Sequence, residues 1–151
     1  MNLLFLCTGN TCRSPMAEAI ALDLLRRDGS FSDAAVTSAG LAAFPGDGAT
    51  LDAVRVCDAH GLDLSGHRAK ALTTDLAAAS DHIYTMTLAQ AAQLRQLLPQ
   101  DAARIERLSP QSDIADPFGG GIETYQDTYA QIEAAIKARL EQWKTEQTKG
   151  E

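Results

Sequence analysis

The pattern of apolar and polar positions predicts an alternation of strands and helices from the first residues onward. An apolar run over residues 2–7 predicts a buried strand that ends at a polar turn. Apolar side chains then recur at helical spacing from Met16 to Leu25, and Gly29 ends the pattern. Ser14 is predicted to be the N-cap of this helix, with Pro15 at its first position.

The remainder of the chain repeats this alternation. Further strands are predicted over residues 34–38, 81–86 and 104–108, and further helices over 49–60, 73–79, 87–98 and 122–144. Residues 67–72 are ambiguous, 109–121 read as a loop, and 145–151 as a frayed polar tail. Short loops between alternating elements predict an α/β fold, a doubly wound parallel sheet flanked by helices, in a single domain over residues 1–151.

Composition and charge exclude several classes of function. A net charge of −7 argues against a nucleic-acid partner, which would require a basic face. The apolar run at the start is preceded by no basic residue and is too short for a signal peptide, and no segment reaches the length of a membrane span. Three cysteines form no disulfide framework, so we expect reduced thiols and a cytoplasmic protein.

The first turn carries the strongest chemical signal, because Cys7 and Arg13 stand six positions apart between a buried strand and a helix. Successive backbone N–H groups in such a turn can surround an oxyanion, and Gly9 and Asn10 tolerate the left-handed backbone this needs. The helix N-terminus favours anions and a thiolate at Cys7. The planar fork of Arg13 suits two oxygens of a phosphoryl group.

These features predict a cysteine nucleophile at the floor of an anion cradle, which would form a cysteinyl-phosphate. The spacing of Cys7 and Arg13 is weak evidence by itself. A lone cysteine at a strand end is more often a small buried hydrophobe, and Arg13 could be an ordinary surface residue. Arginine is mildly unfavourable at a helix N-terminus unless an anion is present, and this favours the functional interpretation.

Residues 7–18, with the sequence CTGNTCRSPMAE, resemble the signature of the low-molecular-weight protein tyrosine phosphatases. The likeness continues in Ser38-Ala39-Gly40, residues 64–68, the strand at 81–86 and the loop from Asp116 to Gly120. The resemblance implies a four-stranded parallel sheet with a phosphate-binding loop after the first strand. It also implies a hydrolase that needs no metal and no cofactor.

The resemblance assigns roles to individual residues. Cys7, Arg13 and Asp116 would be catalytic, with Asp116 as the general acid and Asp113 as the fallback for that role. The substrate would be bound by the loop residues and by one residue after the Asp-Pro pair, namely Thr8, Gly9, Asn10, Thr11, Cys12, Arg13, Ser14 and Phe118.

The resemblance also implies a supporting set around the loop. Ser38 and His67 would hold Asn10, and the Ser14 hydroxyl would bond to the catalytic sulfur. Cys12 would capture an oxidised Cys7 as a reversible disulfide, although a simple packing role is the plain alternative. Cys57, in a helical pattern, is predicted to lie in the core, as are two tyrosines of the last helix, Tyr125 and Tyr129.

The expected partners are phosphorylated proteins, with inorganic phosphate and other oxyanions as competitors. Thr11 and Phe118 stand where tyrosine-specific members carry an aliphatic residue and often a different aromatic one, so the chain looks more like the bacterial protein arginine phosphatases. Phosphotyrosine is the alternative substrate. A thiol-linked arsenate reductase is a further alternative, but the chain has no cysteine after position 57 for an electron relay. A non-catalytic phosphate-binding module would need no reactive thiol.

Overall fold

The computed structural model describes residues 1–149, which form a four-stranded parallel sheet flanked by helices. The strands are β1 (Asn2–Cys7), β2 (Ala35–Gly40), β3 (His82–Thr85) and β4 (Ile105–Arg107). The helices are α1 (Arg13–Asp28), α2 (Leu51–Ala59), α3 (Thr74–Ala78), α4 (Leu88–Leu97) and α5 (Gly121–Lys149), with a 3₁₀ helix over Pro99–Arg104. The predicted α/β class, the parallel sheet and the doubly wound arrangement are confirmed.

The order of the strands, β2-β1-β3-β4, places β1 in the interior of the sheet. Side chains of β1 alternate between two buried clusters, because successive residues of a strand point to opposite faces. Leu3 and Phe5 pack with residues of α1 and α5, whereas Leu4 and Leu6 pack with residues of α3 and α4. Both faces of β1 are therefore covered, which explains why its sequence is apolar without interruption.

Several predicted boundaries shift. Strand β2 continues through Ala39 and Gly40, which were expected to end it, because β1 offers paired positions as far as Cys7. The ambiguous segment at 67–72 contributes one parallel bridge from Ala71 to Gly40. The 3₁₀ helix after α4 was not predicted; it begins at Pro99, which cannot continue an α-helix.

The last helix is longer than predicted and does not fray at residue 145. Trp143 is fully buried, and its indole N–H donates to the Tyr84 hydroxyl at 2.8 Å. Beyond it, Glu146 pairs with His82 at 2.8 Å, and the Gln147 amide donates to the Ser30 carbonyl at 2.7 Å. These contacts hold the final turns through Lys149, while residues 150–151 of the predicted tail lie outside the described part of the chain. Between residues 1 and 149, no helix is both long and apolar enough to cross a membrane.

Candidate active site

The candidate site is the turn between Cys7, the last residue of β1, and Arg13, the first residue of α1. Helix α1 connects β1 to β2, which pairs with one edge of β1, and β3 pairs with the other edge. The carboxyl end of a strand at such a switch in strand order is where doubly wound sheets bind ligands. The positive end of the α1 dipole faces the same turn.

The Cys7 sulfur is buried and is surrounded by hydrogen-bond donors. The Ser14 hydroxyl oxygen lies 2.9 Å from Cys7 Sγ, and the Ser14 backbone N–H donates to the same sulfur at 3.4 Å. The Asn10 amide donates to the Ser14 oxygen at 2.8 Å, so the Ser14 hydroxyl hydrogen is free to point at the sulfur. This arrangement stabilises a negatively charged sulfur.

Ser14 is not the N-cap of α1. Cys12 occupies that position, and no side chain caps the helix there. The prediction is wrong because the Ser14 hydroxyl is engaged by Asn10 and Cys7 instead of a backbone N–H two or three residues on. The first turn of α1 is thus left without a side-chain cap, and its Ser14 N–H faces the sulfur.

The curl of the loop depends on one left-handed residue. Asn10 has φ 56°, whereas Gly9, predicted to share this conformation, has no positive φ. Asparagine tolerates this backbone because its short polar side chain can bond locally. Here the Asn10 amide donates to Ser38 Oγ at 3.0 Å, and its side-chain oxygen accepts the Lys70 backbone N–H at 3.0 Å.

The backbone of Asn10 is held as firmly as its side chain. Its carbonyl lies 2.7 Å from His67 Nε2 and therefore accepts a hydrogen bond from that nitrogen. The structure thus brings together Asn10, Ser38 and His67, the three residues that the resemblance grouped as a support for the loop. Asn10 and Ser38 are both fully enclosed, so these hydrogen bonds are not exchanged with bulk water.

Gly40 allows β2 to approach the loop. A Cβ at this position would lie 2.7 Å from Ala43 Cβ, 2.8 Å from the Thr8 carbonyl oxygen and 3.2 Å from Asn10 Cβ. Two of those three atoms belong to the loop itself. Any side chain at position 40 would displace the loop from the end of the sheet.

Arg13 is buried to 4% exposure although it is charged. Its NH1 group donates to the Ile114 carbonyl at 2.9 Å, and its NH2 group lies 4.0 Å from Asp116 Oδ2. Its Nε has no partner within residues 1–149. A buried guanidinium with an unused donor at the mouth of an anion cradle is suited to bind a phosphoryl group.

Asp116 lies beside this guanidinium on a half-exposed loop. Its Oδ1 accepts the backbone N–H of Phe118 at 3.1 Å and a sulfur–hydrogen bond from Cys12 at 3.6 Å. The fallback residue Asp113 lies elsewhere: it accepts the Leu88 N–H at the start of α4 and pairs with Arg107 at 3.1 Å. These two contacts lower the pKa of Asp113, which makes it a poor proton donor.

The remaining cysteines are also buried and free. Burial raises the pKa of the Cys12 thiol to about 11, and the nearby Asp116 and Cys7 add to this effect. Burial alone raises the pKa of Cys57 to about 12. Cys57 lies in the core among residues of α1 and α5, as predicted, and is not positioned to relay electrons.

Apolar side chains are exposed around the mouth of the loop. The Ala42 and Thr50 N–H groups donate to the carbonyls of Thr8 and Thr11 at 2.8 and 2.9 Å, and Gln90 donates to the Thr8 hydroxyl at 3.3 Å. These bonds, and the contact of Asp116 with the loop, connect four further segments of the chain to it. Those segments carry five exposed apolar residues, here called the apolar rim: Phe44, Leu51, Leu88, Phe118 and Ile122. Phe118 is 74% exposed. Such a rim is suited to contact a protein chain.

Thr11 lies on the loop between these segments and is half-buried. Its Oγ1 lies 3.5 Å from the position that a Cβ on Gly9 would take, so the Thr11 hydroxyl lies over the backbone of the loop.

The two tyrosines of α5 are buried, in agreement with a packing role. Tyr129 stacks on His60, and the Tyr125 hydroxyl accepts from Thr50 Oγ1 at 3.1 Å.

Sequence reasoning missed several residues that touch the loop or its supports. Lys70 acts through its backbone N–H and Ile114 through its carbonyl, and neither group has a signal in the sequence. Gln90 follows a capping-box pattern from Thr87, which signals the helix but not its bond to Thr8. Glu18, four residues after Ser14 on α1, has its pKa raised by burial and lowered in part by His67 and Lys70.

The described residues contain no cluster of His, Cys, Asp or Glu that could hold a metal ion. The positive charge of the site comes from Arg13 and the helix N-terminus. A buried sulfur, the N-terminus of a helix, a guanidinium and a half-exposed carboxyl group together can bind a tetrahedral anion, attack it and protonate its leaving group.

The family model for low molecular weight phosphotyrosine protein phosphatases matches residues 2–149. The chain belongs to this family. It is therefore a phosphoprotein phosphatase, a hydrolase, as the sequence predicted. The resemblance stated from residues 7–18 is confirmed over nearly the whole chain.

Relatives in the family carry both substrate names. The probable low molecular weight protein-tyrosine-phosphatase EpsP of Ralstonia nicotianae is 37% identical over 138 residues, which cover 90% of this chain and 91% of the relative. The protein-arginine-phosphatase of Bacillus subtilis is 33% identical over 153 residues, covering 95% and 97%.

Solved structures agree with the fold. A YwlE mutant from Bacillus subtilis superposes with a TM-score of 0.89 at 32% identity, covering 95% of this chain and 99% of that one. A C7S mutant of the YwlE arginine phosphatase, with a phosphorylated active-site serine, gives the same TM-score and identity and covers 95% and 96%.

Proposed function

We propose that the chain removes phosphoryl groups from phosphoarginine in proteins, through a cysteinyl-phosphate on Cys7. We base the choice of phosphoarginine on Thr11, a small polar residue whose hydroxyl lies over the loop backbone. An aliphatic side chain at this position would favour a phenol instead. Arginine phosphatases that align with nearly the whole chain support the same choice.

In the first step, the Cys7 thiolate attacks the phosphorus in line with the leaving group. The backbone N–H groups of residues 8 to 13 and the Arg13 guanidinium hold the three remaining phosphoryl oxygens. The unused Nε of Arg13 becomes paired by this anion. Asp116 gives its proton to the leaving nitrogen or oxygen, so that a phenol departs as a neutral molecule and arginine as its guanidinium cation.

In the second step, water attacks the cysteinyl-phosphate, and the Cys7 sulfur is the leaving group. Asp116, now ionised, takes a proton from that water. The Ser14 hydroxyl, 2.9 Å from the sulfur, stabilises the thiolate that is released. Inorganic phosphate leaves the loop, and it competes with substrate as other tetrahedral oxyanions do.

A guanidine leaving group fits the polar features of this site. The Thr11 hydroxyl can hydrogen-bond to N–H groups or to a water molecule, and the ionised Asp116 attracts the cationic guanidinium formed on cleavage. A phenol leaving group offers no such cation. The half-exposed side chain of Asp116 is accessible to a guanidinium that enters from solvent.

Phosphotyrosine is the second candidate, and one observation favours it. The Phe118 ring is 74% exposed at the mouth of the site and offers a face on which a phenol ring could stack. The tyrosine phosphatase relative at 37% identity supports the same alternative.

The substrate is proposed to be a protein, because the apolar rim lies on segments that contact the loop and would meet residues next to the phosphorylated one. We also propose a cytoplasmic location, since Cys7 must remain a reduced thiol for turnover. The net charge of −7 supports the expectation that nucleic acid is no partner.

The test compares kcat/KM on phosphoarginine and phosphotyrosine peptides of the same sequence. We expect a preference for phosphoarginine that Thr11→Ile reduces by about tenfold, in keeping with the loss of one hydrogen-bonding group. A preference for phosphotyrosine, or an unchanged preference in Thr11→Ile, would overturn the proposed specificity.

Two controls separate specificity from mechanism. Cys7→Ser should abolish turnover on both peptides and still bind phosphate, because the loop N–H groups and Arg13 remain. Normal turnover by Cys7→Ser would refute the covalent mechanism. Thr37→Ile changes a threonine on β2, outside the phosphate-binding loop, and should leave the substrate preference unchanged.

A further inference from the structure

We propose that Cys12 is a positioning residue for Asp116: its thiol holds one carboxyl oxygen so that the other carries the catalytic proton. This inference rests on the proposed role of Asp116 as the general acid. It gives Cys12 a function in each turnover, separate from any capture of an oxidised Cys7.

The two oxygens of Asp116 have different surroundings. Oδ1 accepts two hydrogen bonds, from Cys12 Sγ at 3.6 Å and from the Phe118 N–H at 3.1 Å. Oδ2 lies 4.0 Å from the Arg13 NH2 group and accepts neither of those bonds. An oxygen that already accepts two donors is the less favourable place for a proton, so the proton of the neutral acid belongs on Oδ2. That oxygen is the one that faces the guanidinium and the phosphoryl group it binds.

Cys12 is suited to hold an exposed partner because it is itself buried at the start of a helix. It lies at the N-cap of α1, is 6% exposed and belongs to the core cluster. Asp116, by contrast, is half-exposed on a loop with Gly119 in a left-handed conformation. The Cys12 bond links Oδ1 of Asp116 to the phosphate-binding loop, whereas Oδ2 faces Arg13.

The direction of this hydrogen bond is set by protonation. Burial raises the pKa of the Cys12 thiol to about 11, so at neutral pH the sulfur keeps its hydrogen and acts as the donor. A thiol is therefore present to donate throughout the cycle, whether Asp116 is neutral or ionised.

The decisive experiment is a double-mutant cycle under reducing conditions. Cys12→Ala and Cys12→Ser are each made alone and with Asp116→Asn, and kcat is measured on aryl phosphates of graded leaving-group acidity. Cys12→Ala should lower kcat about five- to tenfold for poor leaving groups, which need the proton, and little for good ones, which leave without it. Cys12→Ser keeps a donor and should restore much of the loss.

In the Asp116→Asn background, Cys12→Ala should cause no further loss, because the acid that it positions is already gone. Equal losses for all leaving groups, or losses that multiply with those of Asp116→Asn, would overturn the positioning role. If Asp116→Asn itself leaves the poor leaving groups unaffected, the assignment of the acid fails instead. Phosphate binding by each variant, measured by calorimetry, shows that the loop remains folded.

Discussion

The Ser14 hydroxyl oxygen lies 2.9 Å from the Cys7 sulfur and accepts the Asn10 amide at 2.8 Å. Because Asn10 fills an acceptor site of this hydroxyl, its hydrogen is directed to the sulfur. Ser14, which was expected to cap α1, therefore uses its hydroxyl to stabilise the Cys7 nucleophile.

Ser14→Ala should slow the hydrolysis of the cysteinyl-phosphate more than its formation. In that step the sulfur leaves as a thiolate, and a hydrogen bond to a charged group contributes enough for a loss of roughly tenfold to a hundredfold in rate. Rapid-quench kinetics should show a burst of leaving group followed by slow turnover.

The matched control for this variant is Ser80→Ala. Ser80 is also buried, but its hydroxyl donates to the Leu76 carbonyl on α3 and does not touch the loop. Its replacement should change stability without producing a burst. A Ser14→Ala enzyme with unchanged steady-state and burst kinetics would contradict the role given to the hydroxyl.

Gly40→Ala should damage the phosphate-binding loop although residue 40 never touches substrate. The new methyl group would lie 2.8 Å from the Thr8 carbonyl oxygen, a backbone atom, and 2.7 Å from Ala43 Cβ, which has no flexible end that could turn away. We expect a loss of about 1–3 kcal/mol in the free energy of unfolding and weaker phosphate binding. Urea unfolding and calorimetry measure the two effects.

Gly66→Ala is the control for Gly40→Ala, since a Cβ at position 66 would meet no atom within 4 Å. It should retain phosphate affinity and the stability of the parent chain. Equal behaviour of the two variants would show that the approach of β2 to the loop does not constrain the site.

The local part of the site could be predicted because it is contiguous in sequence. Cys7, Arg13 and the turn between them lie in one strand-turn-helix unit, so residue type and spacing were informative. Even there, the left-handed residue is Asn10 alone and not Gly9. Glycine permits that conformation but does not require it.

The distant part could not be derived from the pattern. Asp116 reaches the loop from more than 100 positions away, and only the resemblance to known phosphatases singled it out from the nearby Asp113. Ile114 and Lys70 contribute backbone groups, which no residue type announces. The length of α5 depends on tertiary contacts of Trp143 and the residues after it, so its polar sequence suggested fraying where the structure has a helix.

The stability of the protein should fall as the pH rises above 9. Burial raises the pKa of Cys12 to about 11 and that of Cys57 to about 12, from an ordinary value of 9.0. The unfolded chain therefore loses these protons first, and the stabilisation that is complete below pH 9 decreases until the folded thiols titrate. Each thiol adds a slope of up to about 1.4 kcal/mol per pH unit.

Urea unfolding between pH 8 and 10, under reducing conditions, measures this slope. Cys57→Ala should be less stable at pH 8, because it loses a packed side chain, but its stability should decline less steeply with pH. Tyrosines add to the slope as the pH approaches 10, because their ordinary pKa is 10.0 and burial raises that of Tyr129 to about 12, so the difference between the two proteins reports on Cys57. A slope that is the same in both proteins would contradict the burial of the Cys57 thiol as its cause.

Oxidation should be reversible in the parent chain and irreversible in Cys12→Ser. Peroxide converts the Cys7 thiolate to a sulfenic acid, and the Cys12 thiolate then displaces hydroxide from that sulfur to form a disulfide. In Cys12→Ser a second peroxide oxidises the sulfenic acid to a sulfinic acid, which dithiothreitol does not reduce. Because burial raises the pKa of Cys12 to about 11, capture should be slow at neutral pH and should accelerate as the pH rises towards that value.

Recovery of activity with dithiothreitol after peroxide treatment, together with mass spectrometry, follows both products. Cys57→Ala should recover like the parent, since Cys57 lies in the core. Full recovery of Cys12→Ser would show that Cys12 does not protect the nucleophile.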